Sequence, residues 1–133
     1  MIPVVAACLI YEDKVLVAQK SEQSDLPLKW EFPGGKIKPG ESDFRALCRE
    51  LKEELEIQIH ADSIAQFLGE FPYTYPHIKI CLKAYVLRVE SSEFQVKEHA
   101  DARWVDPREL IELDFAEADR LILKALLRTI DLM

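Results

Sequence analysis

No CxxC pair, no long uncharged apolar run, no internal repeat and no excess of positive charge occur in this 133-residue sequence. Each absence removes a class of function. The three cysteines, Cys8, Cys48 and Cys81, are odd in number and far apart, and each lies in an apolar run. That pattern predicts buried free thiols, with neither a disulfide nor a zinc site, and fits a reducing compartment. Without a bilayer-length apolar stretch or a charged-then-apolar leader, a cytoplasmic chain with no membrane partner is expected. Lys and Arg number 17 against 24 Asp and Glu, a formal net charge of −7. This balance argues against non-specific binding to a nucleic-acid polymer or an anionic membrane. It is compatible with a small polyphosphate if metal and local lysines offset the charge. No linker or low-complexity tract divides the chain, so a single domain over residues 1–133 is expected.

What is present reads as strands interspersed with two good helices. Residues 3–10 (PVVAACLI) are apolar without alternation, which predicts a central strand buried on both faces. A polar turn at 11–14 leads to a second strand at 15–19, then to a loop at 20–29 whose length beside a site suggests function. Residues 57–59 are expected to be extended, and strands are expected at 64–71, 78–89 and 102–105. Two prolines in PYTYPH (72–77) predict a connection, and the polar stretch 90–101 a loop. Asp106 suits an N-cap with Pro107 at the first helical position. The last helix is expected over 115–130, with an apolar face of Leu121, Ile122, Ala125, Leu126 and Ile130. Together these give an α/β fold, helices covering a mixed sheet.

The stretch 32–59 (FPGGKIKPGESDFRALCRELKEELEIQI) passes from a glycine pair through a turn into an acidic helix. At helical spacing Phe44, Leu47, Cys48, Leu51 and Leu55 make one apolar stripe, and Glu50, Glu53 and Glu54 make an adjacent stripe of carboxylates. Like charges so placed destabilise a bare helix by about 0.2–0.5 kcal/mol per pair. A hard divalent cation taking oxygen ligands would compensate. Gly34 and Gly35 permit positive φ and close approach of the backbone to a ligand. Lys20, at a strand end, and Lys36 are point charges suited to phosphate.

Gly35, five residues, Glu41, seven residues, then Arg49-Glu50-Leu51-Lys52-Glu53-Glu54 resembles the Nudix box of the Nudix hydrolase family. The box continues with any residue, a glycine and an aliphatic; Leu55, Glu56 and Ile57 stand there, so the glycine is missing. A glutamate in the left-handed conformation costs about 1 kcal/mol, so the helix is expected to end in another way. The resemblance implies the Nudix α/β/α sandwich. It also implies Mg²⁺, with Mn²⁺ as an alternative, held by Glu50, Glu53, Glu54 and the Gly34 carbonyl. Arg49 would orient a carboxylate by salt bridge, and Glu41 would help orientation or cap the loop. Glu98 would join the metal site or act as general base, with Glu93 as its rival.

Such a constellation suits phosphoanhydride hydrolysis, where cations must reduce the repulsion between incoming water and phosphate oxygens. The runs WEFPGGKI (30–37), His77-Ile78 and FAEAD (115–119) are similar to MutT-type nucleoside triphosphate pyrophosphohydrolases. That likeness implies a small nucleotide substrate, either 8-oxo-guanine triphosphates in nucleotide-pool sanitation or CTP and modified pyrimidine triphosphates. The products would be a nucleoside monophosphate and pyrophosphate. Asp119 stands where those enzymes meet the base with Asn. An ionised Asp only accepts hydrogen bonds, so either the base edge is rich in N–H groups or burial keeps the acid protonated. Phe71, Tyr73, Tyr75 and Ile78 supply either a stacking wall or core. Pro72 and Tyr73 fall where family members acting on ADP-ribose or dinucleoside polyphosphates carry their cue. A non-catalytic nucleotide-binding regulator is the reading of a different class, against which the intact acids argue. Monomer and homodimer are both compatible with the apolar last helix.

Overall fold

The structure, a computed structural model, describes residues 1–131. The chain runs β1 (Ile2–Tyr11), β2 (Lys14–Gln19), β3 (Trp30–Glu31), β4 (Gly34–Lys36), α1 (Asp43–Leu55), a 3₁₀ turn (Ala61–Ser63), β5 (Ile64–Tyr75), β6 (Ile78–Arg88), β7 (Asp101–Val105), α2 (Pro107–Leu110) and α3 (Glu117–Asp131). Among the described residues the strands form one seven-stranded sheet, ordered β3-β2-β1-β6-β5, with β4 added to β1 and β7 to β2. The β1–β6 pairing is parallel and the other strand pairings are antiparallel, so the sheet is mixed.

The unbroken apolar run of β1 has the cause its pattern predicted. Ala6, Cys8 and Ile10 face a core shared with Ala118, Ile122 and Leu126 of α3. Val5, Ala7 and Leu9 face the opposite core, with Ala46, Leu47, Leu51 and Leu55 of α1. Each fully buried leucine there stabilises the sandwich by about 1.5–3 kcal/mol relative to an exposed one. Ser42 caps α1 by accepting from the Arg45 N–H at 3.2 Å, and Asp43 adds negative charge to the first turn. One edge of β1 is divided: Val4 to Ala6 pair with β4, and Ile10 and Tyr11 pair with β2. The candidate site lies at the β4 end of this edge, where Val4 to Ala6 and Gly34 to Lys36 line it.

Four expectations need correction. The connection expected over 72–77 is mostly strand, because β5 continues to Tyr75 with Pro72 opposite Cys81. β5 is the last strand in the order, and an edge strand tolerates a proline that cannot donate to the ladder. α3 starts at Glu117, since Phe115 is held in an extended bridge to Trp30 and stacks on Phe32 at 5.1 Å. α1 does end at a left-handed Glu56, with φ 54°, whose N–H reaches the Leu51 and Lys52 carbonyls as a glycine's would. Of the free cysteines only Cys8 is fully buried; Cys48 and Cys81 are partly exposed. Among the described residues no helix is long and apolar enough to cross a membrane.

Candidate active site

The polar face of α1 is organised by Arg49. Its Nε and Nη2 donate to Oε2 and Oε1 of Glu41, both at 2.8 Å. Nη1 donates to Glu50 Oε1 at 2.8 Å and Nη2 to the Lys36 carbonyl at 2.9 Å, while Glu53 lies 3.6 Å away. Glu41 in turn accepts from the Lys38 N–H at 3.0 Å. Bonds from Arg49 first, then the Lys38 N–H, hold the Glu41 carboxyl down at about 2. One guanidinium thus fixes the loop before the helix, the loop carbonyl and the first acid of the stripe.

The glycine pair serves this arrangement through space. Neither Gly34 nor Gly35 has a positive φ, which corrects the reason expected for them. A Cβ on Gly35 would fall on the Glu50 carboxylate, and one on Gly34 would strike the Val5 carbonyl of β1. Close approach of two chains is therefore what excludes a side chain at either position.

A second group of charges lies on the other side of Glu50. His99 Nε2 is 2.8 Å from Glu31 Oε2 and 3.4 Å from Glu54 Oε2, and Lys20 Nζ is 3.1 Å from Glu31 Oε1. One ligand atom from each of Glu31, Glu54 and His99 falls within 4.8 Å of the others. Burial, followed by a hydrogen bond with Glu50 and the charge of Glu31, pushes Glu54 up to about 9. Burial would also raise Glu31, but His99 and Lys20 outweigh it and hold that carboxyl below its usual range. Lys20 keeps its charge against burial because Glu31 sits beside it. The His99 side chain is 8% exposed, and its buried Nδ1 has no hydrogen-bond partner among the described residues. Hard oxygen donors at Glu50, Glu54 and Glu31 fit a divalent cation, which would offset the Glu31 charge that adds to burial in raising Glu54.

A cleft of about 300 Å³ opens from these charges, lined by Lys20, Glu31, Gly34, Gly35, Lys36 and Glu54. Tyr75, His77, Ile78 and Asp119 line it too. Asp119, in the first turn of α3, is 7% exposed, and its Oδ2 accepts from the Phe32 N–H at 2.9 Å. Burial and then the charge of Glu31 push it up to about 8. Tyr75 braces the same helix start by accepting from the Ala118 N–H at 2.9 Å.

Most residues singled out from the sequence therefore converge. Lys20, Lys36, Gly34, Glu54, Ile78 and Asp119 share the cleft, with Arg49 and Glu50 behind it and Glu53 on the exposed flank of the helix. Glu98 lines an adjoining hollow with Lys20, Glu31 and Glu54, whereas Glu93 lies with Glu56 and Gln95 elsewhere. Phe71 is the exception: its ring packs on the core and does not line the cleft. Glu31 and His99 were missed. Each stands beside a residue that was singled out, Glu31 ahead of the glycine pair and His99 after Glu98, but spacing does not reveal that they meet across 68 positions.

Registered acids on a rigid helix, a cation-compatible pocket and lysines along one cleft define a hydrolase of phosphoanhydrides. The NUDIX domain profile matches residues 1–126, and the chain belongs to the Nudix hydrolase family. It is 36% identical over 125 residues to the CTP pyrophosphohydrolase of Escherichia coli, covering 94% of this chain and 90% of that one. It is 30% identical over 125 residues to the 8-oxo-dGTP diphosphatase of Haemophilus influenzae, covering 92% and 90%. Among solved structures, the solution structure of the E. coli ORF135 protein superposes with a TM-score of 0.82 at 35% identity, over 96% of this chain and 89% of that one. The MutT protein from Methanosarcina mazei shares the fold with a TM-score of 0.84 at 23% identity, covering 96% and 94%.

Proposed function

We propose that the protein hydrolyses nucleoside triphosphates to a nucleoside monophosphate and pyrophosphate. The observation that carries this reading is that Glu54, Lys20, Lys36 and the buried Asp119 line one cleft together. A triphosphate needs cations at one end of its site and a nucleobase needs a dry polar contact at the other. Relatives named for CTP and for 8-oxo-dGTP support the same substrate class.

Glu50, Glu53, Glu54 and the Gly34 carbonyl would hold Mg²⁺, or Mn²⁺ in its place. When bound, the metal neutralises phosphate oxygens and lowers the pKa of water. Lys20 and Lys36 bind the phosphate chain as point charges. Arg49 and Glu41 keep Glu50 aimed while the helix carries the acids as a rigid unit. Glu98, exposed in the hollow that Glu54 also lines, would take the proton of the attacking water.

Burial and the charge of Glu31 favour the protonated form of Asp119, which can donate as well as accept, as Asn would. One oxygen is engaged by the Phe32 N–H, leaving the other for the base. This removes the need for a base edge made only of N–H groups. It suits 8-oxo-guanine, in nucleotide-pool sanitation, and cytosine alike. Pro72 and Tyr73 do not line the cleft, so they lend no support to an ADP-ribose or dinucleoside polyphosphate substrate. Three free thiols favour a cytoplasmic setting.

The test is a screen of normal and oxidised (d)NTPs against ADP-ribose with Mg²⁺, following both phosphate products. Pyrophosphate release from a triphosphate is expected. Orthophosphate alone, or no turnover of any nucleotide, overturns the reading.

A further inference from the structure

Glu56 closes α1 in a conformation that glycine adopts freely and that a side chain disfavours. A residue so placed persists when its surroundings over-determine it. Here the surroundings are the loop between β6 and β7. Lys97 Nζ lies 2.6 Å from Glu56 Oε1, and the Gln95 N–H donates to the Leu55 carbonyl at 2.8 Å. The loop is thus stitched to the end of α1 by a backbone bond and by an ion pair. The next two residues, Glu98 and His99, are the ones that line the hollow adjoining the cleft. Glu98 joins the hollow beside Glu54, and His99 meets Glu31 and Glu54. Beyond them the Ala100 N–H is fixed to the Gln19 carbonyl at 2.9 Å.

We propose that Glu56 is a positioning residue: its carboxylate anchors Lys97 and so holds Glu98 and His99 against the acidic helix. A glycine at this cap would relax the backbone but leave Lys97 without its partner. The loop would then keep the Gln95 bond, the packing of Phe94 and the contact of His99 with Glu54, but Glu98 would lose the tie at the residue just before it. The Glu56 and Lys97 side chains are 51% and 42% exposed, so their pair is weak as a source of global stability and is screened by salt. Its effect lies in the order of a short loop, where a modest bias decides how often Glu98 is in place. The catalytic consequence rests on the proposed triphosphate hydrolysis; the anchoring itself does not.

Four variants test this: Glu56→Gly, Lys97→Met, the two combined, and the charge swap Glu56→Lys with Lys97→Glu. Amide hydrogen exchange over residues 94–100 reads the anchor without reference to activity. In Glu56→Gly and Lys97→Met that exchange should quicken and kcat should fall, each roughly two- to fivefold, with KM for the triphosphate little changed. Glu56→Gly should melt no lower than the parent, so the fall cannot be assigned to misfolding. The combined variant should be no worse than either single one, and the swap should recover most of the loss. Raising the salt should narrow the gap between parent and variants. Unchanged exchange in Glu56→Gly overturns the anchor, and so does a charge swap that recovers nothing. A parent that turns over no triphosphate sinks the hydrolase reading instead and leaves the exchange result to judge the anchor.

Discussion

Arg49 grips Glu41 by two parallel bonds, Nε to Oε2 and Nη2 to Oε1, each 2.8 Å long. A planar fork makes such a grip and an ammonium does not, so lysine is no conservative replacement here. Glu41 is tied to the Lys38 N–H, and Arg49 also holds Glu50, so the fork couples the loop to the acids.

The first prediction follows from that geometry. Arg49→Lys keeps the charge but loses the bidentate bond and the reach to the Lys36 carbonyl. Turnover or metal affinity should fall on the order of 10–100-fold, the range for groups that orient metal ligands. Steady-state kinetics with a metal titration decide it; wild-type values for both would remove Arg49 from the orienting role.

The glycine pair gives a second prediction with an internal control. At Gly35 an added Cβ meets the far end of the flexible Glu50 side chain, which can move. At Gly34 it meets the Val5 backbone in β1, which cannot. Gly34→Ala should therefore destabilise the fold by about 1–3 kcal/mol. Gly35→Ala should melt close to the parent yet lose activity as Glu50 is displaced. Thermal unfolding and turnover measured on both variants separate the cases, and equal melting losses would refute the distinction.

Part of this was legible in the residues and part was not, for physical reasons. The acidic helix could be read because Glu50, Glu53 and Glu54 share one element, where a spacing of three and four fixes a common face. β1 could be read because burial on both faces removes alternation. Lys20, Glu31, Glu54 and His99 meet from four elements of the fold, and no local period encodes that meeting. Pro72 was misleading because its cost depends on strand order: a breaker in a central strand is tolerated at the edge. Glu56 was misleading because a left-handed residue was weighed by its local cost, without the Lys97 partner that only the folded loop brings.

A third prediction concerns the general base. Glu98 lines the hollow with Lys20 and Glu54, while Glu93 lies in another with Glu56. Glu98→Gln should lower kcat by at least about tenfold. Glu93→Gln should leave it near the parent. A kinetic effect at Glu93 with none at Glu98 would reverse the assignment.

The fourth prediction uses Asp119, whose burial and proximity to Glu31 push its pKa up to about 8. In the unfolded chain an aspartate titrates near about 3.9, so the folded state holds this proton more tightly. The contribution of the group to stability is complete below the unfolded value and is lost as pH rises through the folded one. Asparagine keeps an oxygen for the Phe32 N–H and carries no charge to bury. The stability of Asp119→Asn relative to the parent should therefore grow from about pH 4 to about pH 8 and then level off. Urea unfolding across that range, with chelator present to exclude metal, measures the difference directly. A gap that stays constant through the window would mean that Asp119 is ionised throughout in the fold. The base would then meet a pure acceptor, and the preference among triphosphates should shift toward bases that present amino groups.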